Sequence, residues 1–403
     1  MCPSAERPSV GASSSYDVVI VGGGVIGSSI AYFLASSSDF DGRVLVVERD
    51  PGHTESSTGR SVGGIRQQFS SPENIEMSLF AVEFVRTAGE RLRVGDDVPE
   101  LSFVENGYLF LASPAGWDTL QANHAEQRRL GGDISLLRQN ELAAKFPWLN
   151  VTGLVGGAFG ETGEGWIDPY SLMQAFRRKA IDLGAGFLQD EVVGLERDGG
   201  RIAAVRLASG DRIAAGHVVN AAGPRCALVA EMVGIDIPVR PRKRLVYTFH
   251  CREEVPDCPL TIDPTGVYVR PESGNFICGV SPSADNDPDC LDLEITYDLF
   301  DEVVWPTLAH RIPAFEAIKP GQAWAGHYAY NTVDQNAILG PHPEISNFHL
   351  ANGFSGHGLQ QSPAVGRAIA ELISFGAYRS LDLSRFDFAR FAEGRPVHEI
   401  NVV

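Results

Sequence analysis

The clearest hydrophobic pattern lies near the start of the chain. Tyr16 to Val21 forms an apolar run, a glycine cluster interrupts it, and apolar residues recur at helical spacing from Val25 to Ser36. A second short apolar run, Val44 to Val47, follows. This order predicts strand, tight turn, helix, strand, with both strands buried on two faces. The whole stretch from Val18 to Leu34 is apolar enough to suggest a membrane span. Three consecutive glycines and two serines interrupt it, so strand–turn–helix is the better reading.

Further elements follow along the chain. Ser71-Pro72-Glu73 opens a helix, with a capping residue, proline in the first turn and an acid near the positive dipole end. Phe103 to Leu111 reads as a hairpin turning at Asn106-Gly107. Asp168-Pro169 starts a long amphipathic helix with Leu172, Met173, Phe176, Ala180 and Leu183 on its apolar face, and Gly184 ends it. A strand-rich block spans 238–325 and contains Leu245–Phe249, Val267–Arg270 and Phe276–Val280. A glycine-rich loop, 352–358, leads to a last helix beginning near Ser362-Pro363. Helix-alternating segments thus flank two strand-rich insertions, which predicts an α/β fold with a discontinuous nucleotide domain carrying a sheet-rich second domain.

Composition narrows the class. A chain of 403 residues exceeds one ordinary core, so two joined domains are expected. The net charge of −18 argues against a nucleic-acid partner, because no basic patch offsets it. Six cysteines are scattered without a metal-ligand spacing, which suggests free thiols in a reducing cytoplasm and no metal site. Residues 1–15 are small and polar, and read as a tail rather than a signal or transit peptide.

Gly22-Gly23-Gly24-Val25-Ile26-Gly27 satisfies G-x-G-x-x-G in the right context, between a buried strand and a helix. Gly22 permits the turn, Gly24 lets the backbone approach a pyrophosphate, and Gly27 lets helix and sheet lie close. The first N–H groups of the helix, at Val25 and Ile26, meet the phosphate charge. Glu48, with Arg49 beside it, ends the second strand where a ribose hydroxyl would be bound. The unit alone does not separate FAD from NAD. His217 to Pro224 adds a second strand ending in small residues, which allow close approach to a cofactor.

From here the sequence resembles the FAD-dependent oxidoreductases of the D-amino-acid oxidase superfamily. It is most similar to glycine oxidases, sarcosine oxidases and dehydrogenases, and the FAD-dependent oxidoreductase-domain proteins. The resemblance covers about 16–380 and rests on four segments: Ser57 to Phe69 (STGRSVGGIRQQF), Lys145 to Leu149 (KFPWL), Gly165 to Pro169 (GWIDP) and Gly353 to Gly358 (GFSGHG). It implies a Rossmann-like, GR2-type FAD-binding domain from 16–100, 150–236 and 326–380. An α+β substrate domain with a mostly antiparallel sheet would come from 101–149 and 237–325, and 381–403 would form a C-terminal extension.

The resemblance also implies roles. Ser57, Thr58, Arg60 and Ser61 would lie along pyrophosphate and flavin, the Val193 backbone against adenine, and Ala222 and Gly223 beside the cofactor. The turn Gly356, His357, Gly358, Leu359 and Gln360 would face the flavin's pyrimidine end, where helix N–H groups stabilise the charge of reduced flavin. Related enzymes tether flavin through a histidine, here near Ser61, or a cysteine, here near His327. Neither anchor is present, so the resemblance implies non-covalent FAD. A lysine linked to oxygen activation is also missing, since that strand reads NFICG over 275–279.

For substrate, Arg66 aligns with a carboxylate-binding arginine; a structural arginine paired with an acid is the alternative. Tyr268 matches an active-site tyrosine, and His327, Tyr328 and Tyr330 fall where relatives place flavin- or substrate-facing groups. The carboxylate-binding arginine of glycine oxidase has no counterpart near these last three residues, and Gln360 replaces a lysine of sarcosine oxidases. The first departure implies a differently shaped or longer N-substituted substrate in place of free glycine, and the second a weaker or reorganised carboxylate grip. The run Arg240, Arg242, Lys243 and Arg244 reads either as a solvated face or as an acid-substrate contact. The leading expectation is oxidation of the C–N bond of an amino acid or secondary amine of the N-substituted glycine type, with oxygen or another electron acceptor. FAD-dependent 2-hydroxy-acid oxidation and a non-catalytic FAD-binding assembly factor are the alternatives.

Overall fold

The computed structural model describes residues 15–400. Most of the expected tail, and residues 401–403 of the expected extension, lie outside this range. The apolar runs become the centre of one sheet, with strands in the order Ile338–His342, Ile345–Asn352, Arg212–Asn220, Ser15–Val21, Val44–Glu48 and Gly186–Gln189. From Ile345–Asn352 across to Gly186–Gln189 the neighbours are parallel. Val18, Val19, Ile20 and Val46 are fully buried, as strands covered on both faces must be. The helices Val25–Ser36, Pro169–Asp182 and Gly358–Phe375 pack together on one face, and Pro72–Arg86 packs against the last of them. The hairpin Val192–Asp198/Arg201–Leu207 and the short helix Cys226–Glu231 cover the other.

The second sheet has the order Ile318–Asn331, Val239–Cys251, Asn275–Gly279, Tyr268–Glu272, Leu260–Ile262, Tyr108–Ala112, Gly156–Gly160 and Ile134–Arg138. It is antiparallel except where Leu260–Ile262 meets Tyr108–Ala112. A two-stranded ribbon, Gly64–Ile65 with Gly165–Trp166, forms a separate small sheet. Two segments sit elsewhere than the expected domain borders suggest. Gly156–Gly160 belongs to the second sheet, and the strand Ile318–Asn331 runs on past residue 326.

Local signals held unevenly. Asp168 caps its helix by accepting from the Tyr170 and Ser171 N–H groups. Gly184, at φ +101, closes that helix with a 6→1 bond from Ala185 N to Ala180 O and an inner bond from Gly184 N to Ile181 O. The expected hairpin over Phe103–Leu111 does not form. Val104 pairs with Trp166, while Tyr108–Ala112 pairs with Gly156–Gly160 and Leu260–Ile262, so Asn106-Gly107 passes the chain from one partner to another. The last helix starts at Gly358, earlier than expected, and Pro363 lies inside it. Proline leaves the Leu359 carbonyl without its helical donor, and the Ser362 hydroxyl supplies one at 2.7 Å.

Ser71 precedes its helix but caps nothing through its side chain. The Glu399 carboxylate, from the far end of the chain, accepts from Ser70 N, Ser71 N, both hydroxyls and Asn74 Nδ2 instead. The C-terminal segment is thereby locked to the start of that helix. Arg390 anchors it further through an ion pair with Asp334, both side chains fully buried.

Candidate functional site

The strand–turn–helix unit builds one end of a long cavity of about 370 Å³. Gly22 sits at φ +102, where an added Cβ would lie 2.5 Å from the Ala221 carbonyl oxygen, so the turn tolerates no side chain. Gly27 is not in the cavity wall. Its absent side chain lets the helix press against the Gly22 carbonyl, which a Cβ would approach to 1.9 Å. Gly24, Val25 and Ile26 do line the cavity, and the first turn of their helix carries no acid and no side-chain cap. Val25 N donates to Thr58 Oγ1. Glu48 is pinned by Gly23 N and Asp50 N, each at 2.7 Å, and its carboxyl borders the cavity with Arg49.

This end fits the adenosine and pyrophosphate of a dinucleotide. A second helix N-terminus, that of Gly358–Phe375, meets the same cavity at Gly358, Leu359 and Gln360, and it too lacks an acid in its first turn. Two positive dipole ends in one cavity suit a cofactor with negative charge at the pyrophosphate and, once reduced, at the flavin ring.

Between these ends, Ser57 Oγ donates to the His327 carbonyl at 2.6 Å. Arg60 ties its loop to the Thr54 and Ala325 carbonyls, and the Ser61 hydroxyl accepts from Gly63 N. Arg270 donates through Nε and Nη2 to the Val62 carbonyl, holding the same loop from the second sheet. Ala222 and Gly223 complete this stretch of the wall, and Gly356 and His357 the far end.

Arg66 is buried at the far end. Its backbone N–H donates to Gln360 Oε1, Nη1 donates to the Gln68 carbonyl, and Nη2 lies 3.1 Å from His357 Nε2. The guanidinium also covers the Phe69 ring at 4.2 Å and faces the Phe110 ring at 5.2 Å. Arginine only donates, so His357 is neutral with Nε2 accepting. Burial, and then Arg66, push its pKa down. Tyr268, Tyr328 and Tyr108 stand around this end. Burial pushes Tyr108 up to about 12, and raises Tyr268 and Tyr328 as well, so all three remain protonated donors. His327 is held below its ordinary value by burial, and its Nε2 faces the Asp292 carbonyl at 2.8 Å.

Three of the expected residues lie outside the cavity wall: Gly27, as above, Val193 and Tyr330. Val193 is 49% exposed while its neighbour Val192 lines the nucleotide end, the one-residue alternation of a strand. Tyr330 lines an adjoining cavity with Gln335 and His398. The basic run has a third role. Arg242, Lys243 and Arg244 pair with Asp289, Asp292 and Asp287, clamping an acidic loop beside the cavity, and only Arg244 reaches the cavity wall. Tyr108, Glu164, Arg270 and Glu399 were not singled out from the sequence. Of these, Glu164 adjoins the Gly165–Pro169 segment and could have been found there.

The four described buried cysteines and Cys290 are free thiols. Among the described residues, no helix is long and apolar enough to cross a membrane.

With the geometry in place, the comparisons define the class. The family described as "DAO: FAD dependent oxidoreductase" matches residues 17–372, and the chain belongs to that family. Its sequence is 44% identical to FAD-dependent oxidoreductase domain-containing protein 1 of Xenopus laevis, across 96% of this chain and 85% of the relative. Among solved structures it is similar to L-proline dehydrogenase from P. horikoshii, with a TM-score of 0.85, 30% identity, and coverage of 95% of this chain and 99% of that one. Glycine oxidase from Geobacillus kaustophilus superposes with a TM-score of 0.80 at 25% identity, covering 94% and 99%. The α/β architecture is therefore that of this family, and the protein is an FAD-dependent oxidoreductase.

Proposed function

We propose that this protein oxidises the C–N bond of an N-substituted glycine or related secondary amino acid, using FAD held without a covalent bond. The observation that carries the reading is Arg66: a buried guanidinium at the flavin end of the cavity, close enough to Tyr108 and Tyr328 to act on both, with Tyr268 beside those two tyrosines. A planar cation in such a place suits a substrate carboxylate. The match to an L-proline dehydrogenase supports a secondary amine, since proline is one.

FAD, when bound, supplies the hydride acceptor that turns the amine into an imine, which water then hydrolyses. The chain's own residues bind and orient. Arg66 holds the carboxylate, Tyr268 offers a hydroxyl from the second sheet, and the apolar walls keep the amine neutral by disfavouring its charged form. The wall chemistry supports non-covalent attachment: among the described residues no cysteine lines the cavity, Ser61 stands at one tether position, and His327 Nε2 faces the Asp292 carbonyl.

The test is product identification. Incubating holoenzyme with N-substituted glycines and an artificial electron acceptor should yield glyoxylate from an N-carboxymethyl group or formaldehyde from an N-methyl group. Trapping neither product from any member of the series would overturn the reading.

A further inference from the structure

We propose that Glu164 is the charge-compensating partner of Arg66: its carboxyl fixes the Arg66–Gln68 turn, and it takes up a proton from solvent when a substrate carboxylate docks on the guanidinium. This rests on the reading that Arg66 grips a carboxylate.

Glu164 is fully buried and lies outside the cavity wall, directly behind the loop that carries Arg66. One oxygen accepts from the backbone N–H groups of Gln67 and Gln68, at 2.5 and 3.2 Å, and the other accepts from Gln68 Nε2 at 2.7 Å. On the N-terminal side of Arg66, Gly64–Ile65 pairs with Gly165–Trp166, the residues that follow Glu164. One short segment therefore holds both flanks of Arg66, by backbone pairing before it and by a carboxyl after it. Gly160 packs directly against this carboxyl: a Cβ there would come within 2.1 Å of its oxygen.

Charge counting gives this arrangement a further consequence. Arg66 and an ionised Glu164 together are neutral, and a substrate carboxylate would leave the buried trio with a net negative charge, an expensive state away from water. With Glu164 protonated, the trio of Arg66, Glu164 and substrate is neutral. Two titratable groups act on Glu164: Arg66 from the loop, and Tyr108 from the strand Tyr108–Ala112. Burial outweighs the three N–H donors and Arg66, and brings the Glu164 carboxyl up to about 7. The tyrosines around the cavity are shifted upward and His327 and His357 downward, away from this range. Glu164 is thus a positioning residue whose protonation sets how strongly Arg66 attracts an anion.

The probe is methoxyacetate, the oxygen isostere of N-methylglycine, which has a carboxylate but no amine to oxidise or titrate. Binding to the holoenzyme is read from the flavin's visible absorbance, beside the uncharged methoxyacetamide. The methoxyacetate Kd should rise about tenfold from about pH 6 to about pH 8, as required when the ligand binds the form with Glu164 protonated and that carboxyl titrates at about 7 in the free enzyme. The methoxyacetamide Kd should stay flat, and Glu164→Gln should flatten the methoxyacetate curve. A pH-independent methoxyacetate Kd in the wild type, which needs no folded variant, overturns the proposal; so does an unchanged slope in Glu164→Gln. Arg66→Met separates the two levels. It should weaken methoxyacetate by about 30-fold or more at every pH. Unchanged affinity in Arg66→Met defeats the carboxylate reading itself, whereas a large loss alongside a flat wild-type curve defeats only the role of Glu164.

Discussion

Gly27→Ala perturbs the nucleotide cradle most sharply. The new Cβ would stand 1.9 Å from the Gly22 carbonyl oxygen and 3.2 Å from Ile20 Cγ2. A carbon–oxygen contact needs about 3.3 Å, so the helix Val25–Ser36 must back away by more than an ångström. It has little room to do so, because it is packed against Pro169–Asp182 on one side and Gly358–Phe375 on the other. At the second contact the fit is already close: a Cβ on Gly366 would lie 2.1 Å from Ser29 Oγ. Over-packing of this kind costs about 1–3 kcal/mol, and the absence of slack puts Gly27→Ala near the top. At about 1.2 °C per kcal/mol for a chain of 403 residues, the Tm should fall by about 3–4 °C.

The same shift moves the first-turn N–H groups off the pyrophosphate, so FAD occupancy after desalting should fall with the Tm. Gly24→Ala provides the contrast. Its Cβ meets only Thr58 Oγ1, at 3.3 Å, yet Gly24 lines the cavity. The Tm of the apoprotein should hold within about 2 °C while FAD affinity drops. Calorimetry and the flavin-to-protein absorbance ratio read both effects. A Gly27→Ala protein with wild-type Tm and full FAD would refute the reasoning.

Three further outcomes follow from particular contacts. Arg390→Met strands the fully buried Asp334 carboxylate and should cost about 3–5 kcal/mol in chemical denaturation, with Asp334→Asn added on top recovering part of it. Tyr268→Phe should lower kcat/KM about tenfold in steady-state assays, the worth of one buried hydroxyl bond. Acid precipitation should leave the flavin in the supernatant, as a non-covalent cofactor requires; flavin retained in the pellet would contradict that.

The nucleotide end was legible because its physics is local. Gly22, Gly24, Gly27 and Glu48 belong to a single strand–turn–helix unit, and spacing alone predicts their places in it. The same holds for Asp168 and Gly184, whose capping depends on immediate neighbours. Legibility failed where partners come from distant chain. Asn106-Gly107 carries a hairpin signature, but Trp166 competes for Val104 and wins, so the local turn preference joins different sheets. Ser71 carries a cap signature, but Glu399 takes over that helix end.

The flavin end was legible only through family resemblance. Arg66, Tyr268, His327 and Tyr328 come from three separate stretches of chain, and no periodicity links them. Glu164 stands directly before the Gly165–Pro169 segment that carried the resemblance, but its burial against the Arg66 loop is set by the fold and not by spacing. The basic run from Arg240 to Arg244 left two readings open, and the acidic loop that neutralises it lies about fifty residues on, as the Lys243–Asp292 pair shows.

If this cavity oxidises a carboxylate-bearing amine with its flavin, substrate alone should reduce the cofactor. Anaerobic mixing of the holoenzyme with N-substituted glycines, D- and L-amino acids and 2-hydroxy acids tests it directly, through loss of the flavin's visible absorbance. One or more N-substituted glycines or secondary amino acids should bleach the flavin, and the colour should return when an electron acceptor is admitted. Bleaching by 2-hydroxy acids alone, or by no compound in the panel, would contradict it.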